Sequence, residues 1–167
     1  MLRIAKAAKA SNETLYRWYG DKDGLFLEMV RANAAETRKM LVNALAMSGD
    51  PWVGLESVAP VFLRMLLGER AILLNRAAAA DPSGALGAAI SAGGRQEIMP
   101  LMAEVLGRIC TGTPHHPKAA TEWFLGLLVG DLQIKRVIND LAPPTETQIE
   151  NRCASTMLTL KQLIGGA

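Results

Sequence analysis

Apolar residues recur along this chain at the three-to-four-residue spacing of helices, and no stretch shows the strict alternation of a half-buried strand. The pattern predicts an all-α fold. A short helix is expected from about Leu2 to Ala8 and a second from about Asn12 to Tyr19, with Ser11 placed to cap the second and Gly20 to end it. Asp21 then caps a long helix in which Leu25, Phe26, Met29, Val30, Ala34, Thr37, Met40, Leu41, Ala44 and Leu45 follow one drifting face up to Gly49. Asp50 and Pro51 restart a helix that runs to about Leu67, with Trp52, Leu55, Ala59, Phe62 and Leu66 as its inner stripe.

From Glu69 to Ala80 the segment is apolar almost all round, the pattern of a helix enclosed by others, with Asn75 and Arg76 as polar exceptions. An unpaired buried guanidinium is too costly to keep, so Arg76 is expected to pair with Glu69 or Asp81. Asp81, Pro82 and Ser83 start a small Ala-rich helix, expected to fail at Gly93 and Gly94. Ile98, Leu101, Met102, Val105 and Ile109 mark the next, with Pro100 in its first turn or at a kink. The run Thr111 to Pro117 is a loop, followed by a helix expected from about Lys118 to Leu141. Thr145 and Gln148 form a capping box for a last helix, with Ile149, Cys153, Met157, Leu160 and Ile164 on one side and Gly165 and Gly166 at its end.

Composition sharpens this picture: half the residues are hydrophobic but only 5% are aromatic, and the apolar content is mostly aliphatic. The formal net charge of +2 is too small to make the whole molecule a polycation, so contact with nucleic acid needs a local concentration of charge. Residues 1–22 supply one, with Arg3, Lys6, Lys9, Arg17 and Lys22 against Glu13 and Asp21, a local net of +3 that leaves −1 for the remainder. Cys110 and Cys153 lack metal-ligand spacing and read as buried thiols of a reducing compartment. No apolar run has the length of a membrane span and no secretory signal is visible, so a cytoplasmic location is expected and no membrane partner.

Two short helices joined by a tight turn and followed by a long one make a helix-turn-helix, whose second helix can enter the major groove of DNA. Asn12, Glu13, Thr14 and Arg17 are candidates for base edges, and Tyr16, Lys22 and the N–H groups after Asp21 for phosphate. Leu15 and Tyr19 would face the core.

The run Ile4-Ala5-Lys6-Ala7-Ala8, then Ser11, then Thr14-Leu15-Tyr16-Arg17-Trp18-Tyr19-Gly20-Asp21-Lys22-Asp23-Gly24-Leu25-Phe26 resembles the DNA-binding signature of TetR-family regulators. The resemblance implies a DNA-binding transcriptional regulator, a repressor released by a small hydrophobic or amphipathic effector. It also implies a homodimer built on the last two long helices, a ligand cavity in each body and a palindromic double-stranded operator. It gives Thr14, Tyr16 and Lys22 backbone roles and puts sequence reading on Asn12, Glu13, Trp18 and their neighbours, with Ser11 beside them. Residues 1–24 would then form a partial helix-turn-helix head and residues 25–167 a ligand-binding and dimerisation body.

Three departures from the family pattern stand out. Members usually carry a further helix ahead of the two short ones, and this sequence starts after it; Ile4, Leu15 and Tyr19 would lose part of their apolar cover, at ~25 cal/mol per Å². Lys9 replaces the turn glycine, at a cost of roughly 1 kcal/mol if the backbone there needs positive φ. Asn12 and Glu13 stand where Lys and Gly are common, which reduces phosphate attraction.

An effector cavity should be apolar with a few placed polar groups. Met29, Phe62, Met65, Asn75, Arg76, Met99, Met102, Trp123 and Leu127 are the candidates, plain core packing being the other reading of the Met and aromatic positions. Gly126-Leu127-Leu128-Val129-Gly130 has a small-x-x-x-small spacing that permits close helix approach, either across a dimer seam or within one subunit. The candidate seam comprises Trp123, Gly126, Gly130, Ile134, Cys153, Met157 and Leu160.

His115 and His116 adjoin in a Pro-rich loop with no carboxylate or thiol at ligand spacing, so they read as solvated rather than metal-binding. No nucleophile motif or phosphate-cradling loop appears; no catalytic residue, metal or cofactor is expected. The alternative to a regulator is a dimeric small-molecule binder whose incomplete head does not bind DNA.

Overall fold

Side-chain caps set where the helices begin. The Ser11 hydroxyl accepts from the Thr14 N–H at 2.9 Å, the Asp21 carboxylate from Gly24 N–H at 2.8 Å and the Asp50 carboxylate from Trp52 N–H at 3.0 Å. Thr145 and Gln148 cap reciprocally, the Thr145 N–H donating to the Gln148 side chain at 2.8 Å and the Gln148 N–H to the Thr145 hydroxyl at 3.3 Å. Each satisfies donors that a helix start leaves open.

A computed structural model describes residues 1–165 as ten α-helices and one π-helical turn, with no strand among them; the expected stop at Gly166 lies outside the described residues. The helices are α1 (Leu2–Ala7), α2 (Asn12–Tyr19), α3 (Lys22–Ala46), α4 (Pro51–Leu67), α5 (Glu69–Ala79), α6 (Ala85–Ile90), α7 (Gln96–Ile109), α8 (Pro117–Leu128), α9 (Leu132–Val137) and α10 (Glu146–Gly165). The π turn, Ser91–Arg95, joins α6 to α7.

α4 is the axis of the body, touching α3, α5, α7, α9 and α10. Leu55, Val58, Ala59 and Leu63 are wholly enclosed, and Leu41, Met102, Leu106, Phe124, Leu128 and Leu160 close the core from the surrounding helices. Burying one such side chain is worth about 1.5–3 kcal/mol against leaving it in water. Gly54 sets how near α3 can come, since a Cβ there would lie 2.9 Å from that of Ala44. Cys110 and Cys153 are free buried thiols, and burial pushes the pKa of both upward.

The structure departs from the sequence expectations in three places. The chain does not break at Gly93 and Gly94 but stays helical from Ala85 to Ile109, widening by one π turn that carries both glycines. The helix expected over 118–141 divides, because Gly130 takes φ +49 and Asn139 φ +65, left-handed conformations that end α8 and α9 in turn. α5 is not enclosed: Ala71, Ile72 and Leu74 are buried, whereas Arg70, Leu73 and Ala77 are exposed.

Candidate nucleic-acid interface and effector cavity

α1 and α2 are held together by little apolar surface, of which Ala5 and Leu15 are the buried members. Leu15 is only 5% exposed, so α3 and α1 suffice to cover it, while Ile4 on α1 stays open at 37%. Lys9 occupies the turn between them with φ +52, so the backbone there does take the left-handed conformation that makes a side chain costly. Tyr19 is half-buried, with the Trp18 ring edge-on to it at 6.3 Å.

The outer face of α2 presents Glu13, Tyr16, Arg17 and Trp18 to solvent, and Lys22 is exposed where α3 begins. Ser11 is committed to its cap and also bonds the Thr14 hydroxyl at 2.8 Å, so these two side chains hold the helix start in place. Asn12 corrects the expectation of an outward base reader: its side-chain oxygen is buried and has no hydrogen-bond partner.

Gly24 fixes the join between α2 and α3. A Cβ at that position would overlap the Tyr19 carbonyl, so glycine is the residue that lets the two helices meet this closely. α3 then runs through the body and contributes Val30, Asn33 and Ala34 to the wall of a cavity of about 480 Å³.

The other walls come from Phe62, Met65 and Leu66 of α4, Ala71, Leu74 and Asn75 of α5, Ile90, Gly94 and Arg95 around the π turn, Ile98 and Met99 of α7, and the α8–α9 corner. They are mainly apolar. The Asn75 amide nitrogen donates to the Ala71 carbonyl at 2.8 Å and that of Gln133 to the Leu66 carbonyl at 3.1 Å. These bonds use the amide nitrogens and leave the oxygens to accept, and Arg95 and Asn33 add further polar groups to the lining. Such a space suits an amphipathic guest.

Of the residues expected to line a cavity, Phe62, Met65, Asn75 and Met99 do so. Met102 is fully enclosed core, and Met29 lies on the open side of α3 at 45% exposure. Trp123 packs edge-on against His115 at 5.3 Å, and Leu127 falls between the lining residues Gly126 and Val129. Arg76 faces away, and pairs with neither Glu69 nor Asp81. Its guanidinium donates to the carbonyls of Val137 and Arg136 and to the Asn139 side chain, at 2.7, 2.9 and 2.6 Å, closing the end of α9. The sequence places Val30 on the apolar face of the long helix but not in the cavity, and points to none of Asn33, Arg95 or Gln133, polar residues whose helical spacing from core positions is shared by many surface positions.

The π turn connects cavity and α3 physically. Gly93 sits where a Cβ would be 2.9 Å from the Leu27 side chain and 3.1 Å from that of Arg31. Glu97, one turn on, binds Arg31 at 2.8 Å and reaches Arg38 at 3.5 Å. Movement of this wall must displace α3 or break those contacts.

Gly126 on α8, Gly130 at the α8–α9 corner and Ile134 on α9 are exposed, and nothing among the described residues lies within 4 Å of where a Gly126 Cβ would be. Cys153, Met157 and Leu160 are corrected: they point into their own subunit, because the apolar stripe of α10 is already used to seal the core. The outward side of α10 is instead Ala154, Ser155 and Leu158, the last 63% exposed. His115 and His116 are not simply solvated, since the His116 Nδ1 accepts from the Lys118 N–H at 3.2 Å and caps α8. No helix of the described residues is long and apolar enough to cross a membrane.

Comparison with protein-family models gives no match, and comparison with curated proteins gives none either. Solved structures do match. A TetR-family transcriptional regulator from Mesorhizobium loti MAFF303099 superposes with a TM-score of 0.75 at 21% identity, over 96% of this chain and 83% of that one. A TetR transcriptional regulator from Agrobacterium tumefaciens gives 0.70 at 24%, over 96% and 80%. The flavonoid-responsive regulator FrrA gives 0.64 at 22%, over 98% and 85%. With its helix-turn-helix pair, its long connecting α3 and its helical body, the chain has the fold of the TetR-family transcriptional regulators.

Proposed function

We propose that this chain is a DNA-binding transcriptional regulator, a repressor that works as a homodimer and leaves its operator when a small hydrophobic or amphipathic effector fills the 480 Å³ cavity. Residues 1–24 act as the reading head and residues 25–167 as the sensing and pairing body. The observation that carries this is the course of α3, whose start is locked to α2 at Gly24 and whose middle lines the cavity with Val30, Asn33 and Ala34. One rigid element thus belongs to both sites.

In this reading Arg17, Trp18 and Glu13, all exposed, meet base edges and the exposed Tyr16 and Lys22 meet phosphates, with Ser11 and Thr14 fixing the helix start. A single eight-residue helix reads few base pairs, so a two-fold pair reading half-sites roughly 34–36 Å apart, or a multiple, is required. The exposed faces around Gly126, Gly130 and Ile134, with Leu158 on α10, supply the seam. The cavity, apolar with a few amide groups, suits a small amphipathic effector; one structural neighbour is a flavonoid-responsive regulator. An effector that prefers one of two head spacings shifts the population by its differential affinity.

The test is fluorescence anisotropy of labelled promoter fragments against scrambled fragments, with and without candidate effectors. Specific binding that an effector releases supports the proposal. Equal binding to both fragments, or release by effectors unaffected when Met65→Trp fills the cavity, rejects it.

A further inference from the structure

A second cleft, of about 570 Å³, opens between α5, α9 and the start of α10. Arg76 and Arg136 both line it, and neither has a carboxylate within salt-bridge distance among the described residues. Arg136 is only 8% exposed. Its guanidinium donates to the carbonyls of Leu67 at 3.2 Å and Leu141 at 3.0 Å, through Nε and Nη1. Arg76 uses Nε and Nη2. The Nη2 of Arg136 and the Nη1 of Arg76 have no partner among the described residues, and neither is fully buried, so each keeps a solvent-exposed donor on a residue that lines the cleft.

Carbonyl partners explain why the two arginines are held in place, but carbonyls do not neutralise charge, and a largely buried cation without a counter-charge is costly. Arg64 on the same wall is already matched by Glu146. Glu69 also lines the cleft and offsets part of the remaining charge, leaving three cations against two anions. Guanidinium donors pair with carboxylate and phosphate alike, but a net of about one positive charge favours a monoanion such as a carboxylate over a dianion.

We propose that this cleft binds a small organic carboxylate, with the unpartnered Nη1 of Arg76 and Nη2 of Arg136 donating to the carboxylate and Leu67, Ile72 and Leu73 against its apolar part. The site is separate from the effector cavity: α5 turns Ala71, Leu74 and Asn75 to that cavity and Ile72, Leu73 and Arg76 to this one.

The experiment is a ¹⁹F NMR titration of the full chain with 4-fluorobenzoate at fixed ionic strength, with benzoate, benzamide and inorganic phosphate as competitors. Saturable binding displaced by benzoate, not by benzamide, and less well by phosphate is expected. Leu73→Glu places a like charge at an exposed wall position and is expected to weaken binding by about tenfold or more without changing the melting temperature. Arg76→Gln is expected to weaken binding as well, but also to lower the melting temperature because it removes the donors that close the end of α9, so Leu73→Glu decides. Absence of saturable binding, indifference to Leu73→Glu, preference for phosphate, or loss of binding only on Met65→Trp in the other cavity overturns the proposal.

Discussion

Gly24, in the first turn of α3, lies directly against the carbonyl of Tyr19, the last residue of α2, and its own N–H is held by Asp21 at 2.8 Å. This contact sets the angle between the exposed helix and the one that enters the body. Gly24→Ala must push the helices apart, and overpacking of this kind costs about 1–3 kcal/mol. The expected outcome is a loss of DNA affinity of about tenfold or more with the thermal midpoint of the body unchanged. Unaltered binding in anisotropy titrations would show that the α2–α3 angle is unimportant.

Lys9 holds φ +52, where a side chain is strained and glycine is not. Lys9→Gly should therefore stabilise the α1–α2 unit by roughly 1 kcal/mol. Amide hydrogen exchange across residues 2–19 provides the check: slower exchange is expected in the variant, and equal or faster exchange would mean the turn is not strained.

Thr156 on α10 is 2% exposed and its hydroxyl has no partner among the described residues. Replacing it by isosteric valine removes a polar group that burial penalises, so Thr156→Val should raise stability by about 1 kcal/mol. Thr156→Ser, which keeps the hydroxyl and loses the methyl, should lower it. Urea unfolding of the pair gives the sign, and a destabilised valine variant would reveal a hydrogen bond at that hydroxyl.

The start of α10 is tied to α4 by Glu146 and Arg64, and the Arg64 side-chain hydrogen bond holds the Glu146 carboxyl below the ordinary glutamate value of 4.5. A depressed folded pKa means that the contribution is complete above about pH 4.5 and is lost as pH falls through the lower, folded value. Glu146→Gln should thus be less stable than the parent at neutral pH and converge with it in acid. A constant difference across an acid titration of the unfolding midpoint would place the pair's contribution elsewhere.

Much of this fold was legible because its punctuation is local. Ser11, Asp21, Asp50 and the Thr145–Gln148 box each bond backbone within three residues, so the residue type itself announces the helix start. What was hidden depends on partners far along the chain. Arg76 finds its carbonyls sixty residues away on α9, with no acid involved, so charge matching along the sequence misled. Gly93 and Gly94 looked like a stop, but Gly93 is small because Leu27 and Arg31 press on it. The cavity was half visible for the same reason: Met65 and Met99 differ from Met102 in how the helices rotate, which no stripe on one helix discloses.

The most direct measurement is the affinity of the purified chain for a fragment of its own promoter and for a scrambled one, across a salt series. The promoter fragment should bind about 10³-fold or more tightly than the scrambled one, with log affinity falling linearly against log salt, and Arg17→Ala should erase most of the difference. Equal affinity for the two fragments at every salt concentration, or a preference untouched by Arg17→Ala, would contradict the assignment of α2 as a DNA-reading helix.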